Sequence, residues 1–444
     1  MKITFILPAI GKKQAEPYIE TWKMEPLMIA VLQSLTPAWI ETEFYDDRIE
    51  LINYETETDL VAITVETYTA KRAYTIAEEF RKRRKKVVMG GYHATLAPEE
   101  VLEKADVIII GNAESVWAEM LDDFCNGQLK ARYQGDCRYS GLMPQRTIYC
   151  GKKYLPIILV ETGRGCPFNC EFCSISSYYC SKYIPRPVEE IVCEIEQNTG
   201  AYYFFVDDNI AAKPLHCRNV VDRITGMGIK WTSQGSLTMV KEPGLLKAMK
   251  KSGCDVILIG FESLEPGNLE QMNKGWSMHL GEIDELVKQI HDEGISIYAT
   301  FVFGFDNDNE DTFKRVIDFS LKHNFFFTAF NHLLPFPGTP LYRCLLDEGR
   351  LISERWWLEP DYCYGDIPYK PKLMSPQELS QRCEDARTEF YRYGSIVKRF
   401  GSLVKRNMSP MLMGIFLGQN VRLRFEVKEK MRIPLGKGLD EMPK

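Results

Sequence analysis

Three cysteines stand close enough together for redox chemistry: Cys166, Cys170 and Cys173, in the run Gly165-Cys166-Pro167-Phe168-Asn169-Cys170-Glu171-Phe172-Cys173. They bring three thiolates within eight residues, directly after a strand-like stretch at 155–162. A cubane [4Fe–4S] cluster is normally held by four thiolates, so this triad leaves one iron without a local protein ligand and open to chemistry. Structural zinc is the competing reading, but zinc closes a tetrahedron of four ligands, and Cys180 is the only spare thiol nearby. A disulfide framework fits less well still, because thirteen cysteines are scattered over 444 residues with no signal-peptide layout. A reducing, cytoplasmic compartment is the expectation.

The spacing Cys-x3-Cys-x2-Cys, with the aromatic Phe172 before the last cysteine, resembles the signature of the radical S-adenosylmethionine superfamily. The resemblance implies that the open iron chelates the amino and carboxylate groups of S-adenosylmethionine. The reduced cluster then splits the cofactor into methionine and a 5′-deoxyadenosyl radical, which takes a hydrogen atom from substrate. It also implies that Phe172 offers mainly its backbone to the adenine, and that an electron donor such as flavodoxin or ferredoxin feeds the cluster.

These residues need a scaffold. A chain of this length suggests two or three domains. Its net charge of −6 argues against a protein built around nucleic acid, and no apolar run is long enough to span a membrane. In residues 1–130, short apolar runs at 3–7, 42–45, 60–65, 86–89 and 107–110 alternate with helix-like stretches such as 68–85 and 98–104. Such alternation makes βαβ units and a parallel sheet covered on both faces, a Rossmann-like, doubly wound domain.

Gly90-Gly91-Tyr92-His93 follows one of these strands and Gly111-Asn112-Ala113-Glu114 follows the next. Ligands of open α/β sheets sit beyond the carboxyl ends of the strands, so both turns face a shared crevice. The stretch 65–111 resembles the cobalamin-binding domain that often precedes radical S-adenosylmethionine domains. That implies cobalamin contact around Gly90, Gly91 and Gly111, with His93 touching the cofactor or the crevice without ligating cobalt. The Asp-x-His-x-x-Gly motif of many such domains is missing, since Asp46-Asp47-Arg48-Ile49-Glu50 offers no imidazole, and Asn112 replaces a carboxylate of the commoner Gly-Glu-x-Glu turn. Two readings stay open: cobalamin held with no protein ligand on cobalt, and a retained scaffold without cobalamin.

Residues 131–154 read as a linker. Strand-like runs then recur at 157–162, 201–206, 229–233, 256–260, 295–303 and 325–332, with helical segments such as 187–197 and 279–293 between them. This predicts a partial (β/α)6 barrel over 155–370, the fold the resemblance also implies. Polar residues fall at the strand ends, where barrels place their ligand groups. By resemblance, Asp207, Asp208 and Asn209 receive the amino group of S-adenosylmethionine, Gln234, Glu262 and Ser263 face its ribose or carboxylate, and Gly304 belongs to the adenine wall. The competing reading is that some of these groups cap helices.

Residues 371–444 read as a third, mostly helical subdomain opening at Ser375-Pro376-Gln377-Glu378. Within it, Arg392, Lys398, Arg399, Lys405 and Arg406 precede an apolar run at 408–417, which is either a solvated helix followed by a core segment or a peripheral membrane contact. The expected activity is cobalamin-dependent methylation of an unactivated carbon on a small or lipid-like substrate. Radical cyclisation, oxidation or carbon–carbon bond formation without cobalamin is the alternative, and a non-enzymatic iron–sulfur sensor a remote one.

Overall fold

The computed structural model describes every residue except 15, 137–139, 201, 407 and 441–444; the first residue of the run predicted at 201–206 therefore lies outside the described residues. Six strands, β1 (Lys2–Leu7), β2 (Glu41–Asp46), β3 (Leu60–Thr64), β4 (Lys86–Gly90), β5 (Val107–Ile110) and β6 (Arg132–Gln134), form one sheet in the order β2-β1-β3-β4-β5-β6. All its pairs are parallel. Burial on both faces explains the continuous apolar runs of β3 and β5. The order reverses between β1 and β3, the switch point at which doubly wound sheets bind ligands. β6 comes from the stretch read as a linker; its sequence Arg-Tyr-Gln, exposed–buried–exposed, carries too little apolar signal to mark an edge strand.

The second sheet comprises β7 (Ile158–Val160), then β10 (Tyr203–Phe205), β11 (Trp231–Gly235), β12 (Cys254–Glu262), β13 (Ser296–Phe303) and β14 (Phe327–His332), with a separate antiparallel ribbon of β8 (Gly163–Gly165) and β9 (Tyr183–Pro185) between the first two. The six strands pair in parallel and in sequence order, as a partial (β/α)6 barrel requires. Helices Val188–Gln197, Pro214–Ile224, Leu245–Lys251, Ile283–Asp292 and Glu310–Lys322 bury their apolar stripes in one continuous core with it.

Beyond the barrel, helix Pro376–Phe390 begins as its sequence predicts: the Ser375 hydroxyl accepts from the Glu378 amide at 3.2 Å, and the Glu378 carboxylate accepts from the Ser375 amide at 2.7 Å. Helices Tyr393–Lys405 and Pro410–Lys430 form a hairpin against the outer strand. Its pin is Arg399, 1% exposed, whose guanidinium donates to the carbonyls of Phe325, Phe326 and Phe390.

Two of the contacts between the domains come from late in the chain. Trp357, from the segment after β14, donates its indole N–H to Glu100 of the first domain at 2.9 Å, deep in a shared apolar cluster. The chain then returns: Gly436 donates to the Ile10 carbonyl, Lys12 donates to that of Lys437, and Arg72 bridges Asp47 and Asp440.

Candidate active site

The ribbon β8–β9 frames the cysteine loop. Gly165, with φ +80°, ends β8 where a Cβ would stand 2.2 Å from the Lys182 carbonyl, so only glycine lets the ribbon close before Cys166. The loop is pinned by the Glu171 amide donating to Met272 and by Phe168 stacked on Trp276 at 4.0 Å. All three thiols are free and half-buried. Burial raises all three thiol pKa values, Cys170 to about 12; such thiols ionise when a metal centre takes them. Among the described residues no three His, Cys, Asp or Glu side chains gather at single-ion spacing. Phe172 meets Phe305 edge-on at 6.1 Å, beside the triad.

The strand-end residues divide. Asp207 is buried, accepts from the Thr162 amide at 3.0 Å and its hydroxyl at 2.7 Å, and burial pushes its carboxyl up to about 7. It joins β10 to the end of β7 and does not face the mouth. Asp208 does face it: it accepts from the Gly165 amide at 2.8 Å next to the cysteine loop, and burial raises its carboxyl to about 6. Asn209 donates weakly toward the Cys166 sulfur at 3.8 Å and to Ser236 at 3.3 Å, while its Oδ1, buried, has no partner. That orphaned acceptor beside the triad fits an ammonium group. Gln234 stands half-buried at the end of β11, its side chain with no hydrogen bond among the described residues.

Glu262 follows a register shift between β12 and β13 and holds a left-handed backbone, φ +65°. Such a bulge re-aims a side chain, here toward Lys274, whose ammonium meets the carboxylate at 3.1 Å and donates to the Gly260 carbonyl at 2.8 Å. Lys274, 8% exposed, was not anticipated from the sequence. It is a buried cation near enough to Cys170 to favour the thiolate. Nothing in Asn273-Lys274-Gly275 marks it, because a single lysine after a helix carries no periodicity.

Two further residues are held by local contacts. Ser263 is buried and its hydroxyl accepts from the Glu265 amide and Asn268, which ties it into the turn before the following helix, beside a cavity it lines with Lys274. Gly304 is sealed by Tyr369, whose hydroxyl donates to its carbonyl at 2.9 Å while its amide donates to Asp308; it turns the chain so that Phe305 reaches Phe172.

At the carboxyl edge of the first sheet lies a cavity of about 210 Å³ that both domains line: Gly90, Gly91, Gly111 and Asn112 from one side, Arg164 and Tyr179 from the other. Arg164 pairs with Glu114 across it at 2.5 Å, and Tyr178 donates to Asn112 Oδ1 at 3.1 Å. Asn112 Nδ2 is buried without a partner. It is thus a donor held for a ligand, which a carboxylate at this position could not be. Glu66 also lines the cavity, and burial lifts its carboxyl to about 7.

His93 is elsewhere. Its ring is fully buried, bonded to Thr67 at 3.1 Å and Glu100 at 3.0 Å, and packed against Trp357. It belongs to the tie between domains and not to the crevice, because helix Tyr92–Leu96 turns Tyr92 toward the cavity and the next residue away.

The sequence model of the radical SAM superfamily matches residues 160–320, and that of the B12 binding domain matches residues 32–121. The chain is 30% identical over 397 residues to bacteriochlorophyllide d C-12(1)-methyltransferase of Chlorobaculum tepidum, covering 84% of each. It is also 30% identical to the C-8(2)-methyltransferase of that organism, over 74% of this chain and 78% of the relative. Among solved structures, the radical S-adenosylmethionine methyltransferase TsrM from Kitasatospora setae superposes with a TM-score of 0.63 at 14% identity, over 86% of this chain and 82% of that one. The cysteine loop at the barrel mouth, the glycine-turned crevice beside it and these matches together place the chain in the radical S-adenosylmethionine superfamily, in its cobalamin-binding branch of methyltransferase-type enzymes that work with a [4Fe–4S] cluster, S-adenosylmethionine and cobalamin.

Proposed function

We propose that the protein methylates an unactivated carbon of a small or lipid-like substrate. The observation that carries this reading is the shared chamber: the cavity between the glycine turns is walled on its far side by Glu161, Arg164, Tyr178 and Tyr179, which flank the cysteine loop in sequence. When bound, the cluster and S-adenosylmethionine supply a hydrogen-abstracting radical and cobalamin supplies the methyl group. The chain's own residues hold these groups in place. Cys166, Cys170 and Cys173 take the cluster. Asp208 and the free Oδ1 of Asn209 receive the ammonium of S-adenosylmethionine, and Lys274 its carboxylate, each a charge-assisted contact. Asn112 Nδ2 would offer the corrinoid a hydrogen-bond donor. Within that class, the two similar bacteriochlorophyllide methyltransferases support a bacteriochlorophyllide-type, lipid-like substrate.

The test is anaerobic reconstitution with iron, sulfide and hydroxocobalamin, followed by product analysis with chlorin and other polycyclic candidates. Methyl transfer yields S-adenosylhomocysteine together with 5′-deoxyadenosine. Formation of 5′-deoxyadenosine alone, with substrate altered but not methylated, would favour radical cyclisation or oxidation and sink the proposal.

A further inference from the structure

The last two helices carry a surface that neither the cysteine loop nor the crevice uses. Of the thirteen large apolar side chains exposed among the described residues, six fall within 393–425: Tyr393, Val397, Val404, Met411, Leu417 and Phe425. Helical spacing sorts them into stripes. On Tyr393–Lys405, the exposed Tyr393, Val397 and Val404 share one side, away from the core-facing Ile396, Arg399 and Leu403. On Pro410–Lys430, Met411 and Phe425 share a side with Gly414 and Gly418, away from the buried Leu412, Phe416 and Asn420. A Cβ built on Gly401, Gly414 or Gly418 meets no atom of the described residues within 4 Å, so none of them covers either stripe there. The two helices meet where the Arg424 guanidinium lies 4.5 Å over the Tyr393 ring.

Charge decides what covers this face. Residues 391–425 contain no Asp or Glu, in a chain with 61 acidic residues, and contain seven Lys and Arg, of which Arg392 and Arg422 pair with Glu389, Glu426 and Glu429 outside that stretch and Arg399 is buried. Lys398 and Lys405 border the first stripe, both exposed and with no acidic partner among the described residues. A second copy would present the same positive charge to itself. A polyanion such as a nucleic acid would leave the apolar side chains unburied.

We propose that the hairpin of Tyr393–Lys405 and Pro410–Lys430 docks on an anionic lipid surface, its apolar stripes at the acyl boundary and its lysines among the headgroups. No helix among the described residues is long and apolar enough to cross a membrane, so the contact is with one leaflet.

Vesicle flotation of the full chain tests this, with phosphatidylcholine alone and with phosphatidylglycerol added. The wild-type protein is expected to float with the mixed vesicles and to lose binding as salt rises. Each lysine near an anionic surface contributes about fivefold in affinity, so Lys398→Gln with Lys405→Gln should cost about thirtyfold. Val397→Ser with Val404→Ser should weaken binding at every salt concentration. Unchanged thermal unfolding and iron loading would establish that these exposed substitutions leave the fold intact. Absence of wild-type flotation, binding insensitive to either pair, or a wild-type dimer that Val397→Ser with Val404→Ser dissolves would each overturn the proposal.

Discussion

In the proposed reading each thiol of the triad is one of three protein ligands to the cluster, so none has a substitute. Cys166→Ala, Cys170→Ala and Cys173→Ala are each expected to abolish the [4Fe–4S] cluster and 5′-deoxyadenosine formation, measured by iron and sulfide content and by product analysis, whereas Cys180→Ala should change neither. The adjacent carboxylates separate two roles that sequence alone could not. Both follow one strand, but Asp207 points back onto Thr162 while Asp208 points to the cysteine loop. Asp207→Ala should therefore lower stability by about 1–3 kcal/mol, the usual cost of orphaning buried hydrogen-bond partners, seen as a fall in Tm. Asp208→Ala and Lys274→Ala should instead weaken S-adenosylmethionine binding roughly ten- to a hundredfold, read by titration, with iron content near normal.

At the scale of elements, the two turn glycines act differently. A Cβ on Gly91, where φ is +110°, would stand 2.8 Å from the Val65 carbonyl, whereas one on Gly90 meets only Ile109 at 3.7 Å. Gly91→Ala is thus a folding variant. Gly90→Leu should fill the cavity, so that cobalt is not retained after reconstitution with hydroxocobalamin while iron loading and Tm stay near wild type. The strands β1, β3, β4 and β5 were legible because sheets buried on both faces need largely apolar runs. The same logic hid β6, an edge strand with one buried residue, and short helices such as Leu27–Leu35, whose apolar run resembles a strand. The cysteine loop was legible from spacing. Lys274 and the burial of His93 were not, because both arise from contacts between distant segments.

At the scale of the whole molecule, Glu100 is the point where the domains are tied. Burial alone would raise its carboxyl, but hydrogen bonds from His93, Trp357 and Tyr74 outweigh that and hold it below the ordinary glutamate value. A depressed carboxyl contributes stability that is present above its unfolded value and lost as pH falls through its folded one. The stability gap between wild type and Glu100→Gln, from chemical denaturation, should therefore be fully open near neutrality and close below about pH 4. The returning tail has a different consequence, one of timing. Lys12 pairs with Lys437 and Arg72 with Asp440, so a growing polypeptide carries its first sheet without these partners until residues 437–440 have been made. At ordinary elongation rates that wait is on the order of tens of seconds, during which the loop after β1 and the buried end of Arg72 stand open to chaperones and proteases.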